Sequence, residues 1–324
     1  MNEEHVPDLR SLVFGGLSWY DALDESNPST WPAWRVAKSN EQAWWAALLN
    51  SAFAFAQDHS LVETYRAKFG GISLSELRLE KADREARTST FPIWQIANEL
   101  IVARYLERVL GWRYESHEPP GRALRRGDWQ FRTSNGRRVF VEVKSLRERE
   151  RLGTGVFNRP SYSGRLRGVL KEAYAQLPDD GRATLVVLVG NELLRIPFGV
   201  MHGDLFQALY GQMQVTFNVM PYDPTSLRMG PSFREMFVHG AKHRRLAWAA
   251  GLAVAGFELP GLRFYAIENP YADPAVHIER RAFGNVERFV VDEDGRGQLD
   301  EGLHPKEVWP LMAYPCSSLG IGKA

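Results

Sequence analysis

The stretch ATLVVLVG at 183–190 is apolar at every side chain except Thr184. A strand with one wet face alternates polar and apolar residues. An unbroken β-branched run therefore marks a strand buried on both faces, in a sheet covered by helices on each side. Just before it, SGRLRGVLKEAYAQL (163–177) reads as a helix that Pro178 stops. A helix feeding such a strand is a crossover, which calls for a parallel neighbour upstream in the same sheet. The expectation is an α/β chain.

Upstream, WRYESHE (112–118), DWQFR (128–132) and RVFVEVK (138–144) read as short strands. Ahead of them, PIWQIANELIVARYLERVLG reads as a helix from Pro92 to a C-cap at Gly111, with Ile96, Leu100, Ala103 and Leu106 or Leu110 in an apolar stripe. Glu99 sits on the border of that stripe. From Pro92 to Gly190 the order is helix, three strands, helix, strand.

In VFVEVK, Val139, Val141 and Val143 share one face, and Phe140, Glu142 and Lys144 the other. A two-residue turn at Asn135-Gly136 sets Trp129 against Glu142. A three-residue loop, Ser134-Asn135-Gly136 with Gly136 left-handed, instead pairs 133 with 137, so Trp129 meets Val141 and Phe131 meets Val139. The apolar pattern selects the second register, because a slip by one turns Trp129 and Phe131 onto the charged face. Asp128 then falls opposite Glu142, with Cβ atoms roughly 5 Å apart, and Lys144 lies beside them. Two carboxylates that close repel each other. A divalent cation relieves the repulsion, and hard oxygen donors with room for water suit Mg²⁺ or Mn²⁺. Such a cation activates a bound water and polarises a phosphoryl oxygen, while Lys144 orients or helps deprotonate that water.

The formal net charge of +1 hides an asymmetry. Residues 121–171 hold fourteen Lys and Arg against four Asp and Glu, a net +10 that leaves −9 for the rest of the chain. Positive charge gathered around the candidate site fits a polyanionic partner.

The pattern GDWQF…VEVK resembles the PD-(D/E)XK nuclease superfamily, with its restriction endonuclease-like fold; Gly127 stands where the motif's name has Pro. The resemblance spans about 92–190. It implies a mixed sheet flanked by helices and metal-dependent endonuclease activity on DNA, with RNA as an alternative substrate, in a restriction, phage-defence or repair setting. By the same resemblance Asp128, Glu142 and Glu99 are metal ligands and Lys144 is the catalytic lysine. Arg125, Arg126, Arg147 and Arg165 from the basic stretch, with Lys171 and Gln176 on the crossover helix, are the substrate-binding candidates. The rival from another class is a non-catalytic nucleic-acid-binding or structural subunit on the same fold.

The remainder divides into a helical N-terminal lobe (1–85), the nuclease-like core (86–195) and an α+β C-terminal extension (196–324) that serves recognition, dimerisation or binding of a defence-system partner. In the lobe, Ser39 and Gln42 form a capping box ahead of AWWAALLNSAFAFA, and the early tryptophans read as core, with Trp31 or Trp34 as base-stacking candidates. In the extension a helix is expected over 232–256 and strands over 262–268 and 287–291. No stretch reads as a signal peptide or membrane span, so a cytoplasmic location is expected. The single cysteine, Cys316, excludes an internal disulfide and a cysteine-based zinc cluster. His239 and His243 have helical i, i+4 spacing with no third ligand in view, and His117 lies on a strand near the site. RLGTGVF (151–157) lacks the Lys-Ser/Thr of a phosphate loop, and no G-x-S-x-G elbow is present.

Overall fold

The computed structural model describes residues 8–23, 37–38, 43–77, 91–122, 125–146, 163–191, 205–209, 212–217, 227–232, 243–255, 261–291 and 297–300. Its helices are α1 (Leu9–Phe14), α2 (Ser18–Asp21), α3 (Ala43–Asp58), α4 (Val62–Gly70), α5 (Leu74–Leu77), α6 (Phe91–Arg108) and α7 (Ser163–Tyr174). Strands β1 (Arg113–His117), β2 (Trp129–Arg132), β3 (Arg138–Ser145), β4 (Ala183–Asn191), β7 (Trp248–Ala255), β8 (Gly261–Glu268), β9 (Glu287–Val291) and β10 (Gly297–Asp300) form one mixed sheet in that order. β5 (Gln212–Phe217) and β6 (Leu227–Ser232) pair separately. Among the described residues no helix is long and apolar enough to cross a membrane.

The continuous run at β4 takes the central role its composition requires. β3 and β7 flank it, both parallel to it, and residues 183–189 are fully buried. Its alternate side chains feed two separate cores. Leu185, Val187 and Val189 join Val139, Val141 and Val143 in the layer packed by α1, α3, α4 and α6, whereas Val186 and Leu188 join Phe140 opposite Leu166, Leu170 and Ala173 of α7. Both faces are covered, and the buried Thr184 hydroxyl replaces its water by donating to Arg245 O and accepting the Ala247 N–H.

The hairpin adopts the register that its apolar pattern selects. Trp129 pairs with Val141 and Phe131 with Val139. The loop closes with the Gly136 N–H donating to Thr133 O at 2.9 Å and the Thr133 N–H donating to Arg137 O at 2.9 Å. Gly136 has φ +86°, a left-handed conformation that explains glycine there.

The expectation for 232–256 needs correction. Trp248–Ala255 is strand β7, between β4 and β8, not the second half of a helix. WAAGLAVA is rich in alanine and has no polar residue to reveal a period, so a strand buried on both faces reads like a buried helix. Trp248, Ala250 and Leu252 enter one core, Ala249 and Ala253 the other, and this alternation decides the matter. Strands β7–β10 thus continue the sheet that holds β1–β4. Ser39, Gln42, Trp31, Trp34, His239 and Cys316 lie outside the described residues.

Candidate active site

Asp128 occupies the last position before β2 enters the ladder. Its N–H donates to Val141 O at 3.3 Å, and its carboxylate Oδ2 accepts the Val143 N–H at 2.6 Å. The side chain therefore takes over where the backbone ladder stops, fixing the carboxylate against β3. Gly127 permits this approach: a Cβ there would lie 2.2 Å from Cζ of Phe140. Any Cβ at position 127 would have to displace that ring.

Glu142 is 2% exposed. Its Oε1 binds the Lys144 ammonium at 2.6 Å, while Oε2 is buried with no hydrogen-bond partner. Lys144 is a quarter exposed, so the pair runs from the interior toward solvent. Such an orphaned carboxylate oxygen is costly and calls for a ligand or a proton.

Glu99 reaches the site from α6. Two bonds beside it seat that helix on the strand ends: the Trp129 indole N–H donates to Glu99 O at 3.0 Å, and the Asn98 amide donates to Ser145 Oγ at 2.9 Å. Its carboxylate Oε2 accepts from Tyr65 Oη at 2.9 Å and from Lys68 Nζ at 2.7 Å.

The electrostatics follow from this crowding. Burial raises the Asp128 carboxyl well above its ordinary range, and the charges of Glu142 and then Glu99 push it further, against the Val143 N–H and Lys144. Burial raises Glu142 to about 6; the Lys144 ammonium opposes the shift and Glu99 adds to it. Burial, then the Lys68 charge, lowers His117 to about 4. A neutral His117 suits its position, with Nε2 3.3 Å from Lys68 Nζ. Among the described residues no three His, Cys, Asp or Glu side chains are grouped so as to hold a metal. The electrostatically linked Asp128 and Glu142, with the free Glu142 Oε2, remain as donors.

The substrate candidates are scattered. Arg126 is exposed and pairs with Glu118 at 3.2 Å; Arg125 and Lys171 are exposed; Arg165 lies half-buried on α7. Arg147 lies outside the described residues. Gln176 falls beyond α7, which ends at Tyr174; its Oε1 is buried and its carbonyl accepts the Arg122 N–H at 3.2 Å. Several charges of the +10 stretch are already engaged: Arg132 and Arg138 pair with Glu115 at 2.5 and 3.2 Å, and Arg122 with Asp179 at 3.0 Å. The hairpin end, far along β3 from Lys144, therefore uses its arginines structurally.

Tyr65, Lys68 and Asn98 were not singled out in the sequence. The first two are three residues apart on a short helix, a spacing that says only that they share a face. Their meaning depends on what α4 packs against.

No protein family matches the chain, and no curated protein matches it. Among solved structures, SfsA of Pyrococcus furiosus in complex with Ca²⁺ is 17% identical over 51% of this chain and 59% of its own length, with a TM-score of 0.21. The chain thus spans under two thirds of that protein, and a superposition so loose carries no argument about fold or function.

Proposed function

We propose that the chain is a metal-dependent endonuclease that hydrolyses phosphodiester bonds in DNA, on a core of the restriction endonuclease-like kind. The observation that carries this reading is the meeting of Asp128, Glu142 and Lys144 at one end of a hairpin, with Glu99 acting on both carboxylates. The element order α6, β1, β2, β3, α7, β4 supports it.

The residues fit a divalent cation. Asp128 and Glu142 are mutually repelling carboxylates, and the buried Glu142 Oε2 lacks a partner. Mg²⁺ is commonly held by one or two carboxylates, with water and substrate phosphate completing its shell. Asp128 and Glu142 would hold the ion, while Glu99, whose Oε2 accepts from Tyr65 and Lys68, would act on them as a neighbouring charge rather than as a ligand. When bound, it would supply an activated water and polarise a phosphoryl oxygen. Lys144, tethered to Glu142, would supply an ammonium to offset negative charge growing on the phosphate and would help orient the attacking water. Exposed Arg125 and Lys171 offer charge to the substrate backbone.

The test is plasmid DNA incubated with Mg²⁺ or Mn²⁺, comparing wild type with Asp128→Ala and Lys144→Ala, with structured RNA in parallel. Cutting by wild type alone is the expected result. Variants that cut as well as wild type would refute the site, and binding without cutting under either metal would favour a non-catalytic subunit.

A further inference from the structure

We infer that Tyr65 and Lys68 of α4 are positioning residues of the candidate active site, which makes the N-terminal helical region part of the site rather than an appendage; this rests on the nuclease reading above. The two side chains lie on one face of α4 and converge on the same oxygen of Glu99. Each is itself held. Tyr65 is fully buried and its ring stacks on Trp129, with centroids 6.1 Å apart and planes 9° from parallel. Trp129 in turn bonds the Glu99 carbonyl, so ring stack and hydrogen bonds close a circuit through Tyr65, Trp129 and Glu99. Lys68 Nζ touches Glu99 Oε2, His117 Nε2 and Glu118 Oε1 at 2.7, 3.3 and 3.5 Å, and lies 5.0 Å from the centre of the Tyr65 ring.

A solvated surface ion pair would have no reason for such framing. Lys68 is only a quarter exposed and Glu99 less, and the contact joins elements 31 residues apart. The arrangement does two things. It orients the Glu99 carboxylate by engaging one oxygen from the α4 side. It also adds a fixed positive charge that contacts Glu99 and Glu118 and interacts with the charge of Asp128. A cation entering the site therefore feels Lys68 as a like charge. Removing that charge should tighten metal binding while loosening Glu99, so affinity and turnover should move in opposite directions. A lysine that merely anchors the helical region would lower stability and leave metal affinity unchanged.

The experiment uses the full chain, Mn²⁺ alone as the calorimetric probe, and DNA cleavage as a separate readout. Lys68→Met should bind Mn²⁺ at least about threefold more tightly, as expected for losing a like charge several ångströms away. Its turnover at saturating Mn²⁺ should fall about tenfold. Lys68→Arg should restore the wild-type Mn²⁺ affinity. Adding Glu99→Gln to Lys68→Met should cause little further loss of turnover, because the two residues act as one unit. Wild-type affinity and turnover in a folded Lys68→Met chain would overturn the inference, as would a parallel loss of both. Tyr65→Phe keeps the stack on Trp129 and provides the test if the lysine variant does not fold: slower turnover at unchanged Mn²⁺ affinity supports the inference, and wild-type turnover overturns it. If wild type binds no Mn²⁺ and cuts nothing, the nuclease reading falls and this inference with it. If Asp128→Ala abolishes cutting while Lys68→Met changes nothing, this inference falls alone.

Discussion

Glu142→Gln should stabilise the metal-free protein at neutral pH, and the gain should depend on pH. In the folded chain Glu142 titrates at about 6, above its ordinary value of 4.5, because burial disfavours its charge. A raised pKa means that the native state holds the proton more tightly than the unfolded chain. The associated stability is fully present below pH 4.5 and is lost as pH rises through about 6. A shift of about one and a half units corresponds to ~2 kcal/mol. Glutamine removes the titration and keeps an oxygen for Lys144. The stability difference between variant and wild type should therefore grow by ~2 kcal/mol between pH 4.5 and 7.5. The shift at Asp128 has the same sign and is partly caused by Glu142, so its release adds to the gain. Urea unfolding followed by tryptophan fluorescence in EDTA, repeated across that pH range, measures the difference. Adding Mg²⁺ should stabilise wild type and reverse the ranking. A difference that stays flat with pH would refute the reasoning, since it would mean that Glu142 carries no cost of desolvation.

Gly127→Ala places a Cβ 2.2 Å from the fully buried Phe140 ring and should cost about 1–3 kcal/mol in urea unfolding, much of it recovered in a double variant with Phe140→Leu; a single variant as stable as wild type would contradict the packing account. Asn98→Ala removes the bond to Ser145 at the end of β3 from a fully buried position, with an expected loss of about 1–2 kcal/mol and slower cleavage through displacement of Lys144. Arg125→Ala and Lys171→Ala should leave the unfolding midpoint unchanged, and each should reduce the slope of log affinity against log salt for duplex DNA by about 1. An unchanged slope would remove that residue from the interface.

The hairpin was legible because its information is local. Trp129 and Phe131 on one strand, three valines on the next and a glycine at a left-handed turn admit one register, and that register ends with Asp128 against the Glu142 end of β3, its carboxylate accepting the Val143 N–H. The double burial of β4 was equally plain, since a strand whose run from 183 to 190 has Thr184 as its single polar side chain has no face to offer water. Strand β7 was not legible, because an alanine-rich segment has no period of its own and takes its conformation from the strands beside it. The burial of Gln176 Oε1 and the bond from the Arg122 N–H to its carbonyl belong with it, since they join segments more than 50 residues apart. The same holds for Tyr65 and Lys68: nothing in VETYRAKFG distinguishes a solvated lysine from one held against a glutamate 31 residues away. Sequence by itself determined the elements whose side-chain period is written into a few adjacent residues, and with them the hairpin register beside which Asp128, Glu142 and Lys144 lie. Only the tertiary structure decided which groups from distant elements surround those three, because burial and Coulombic coupling depend on distances through space that the order of residues does not record.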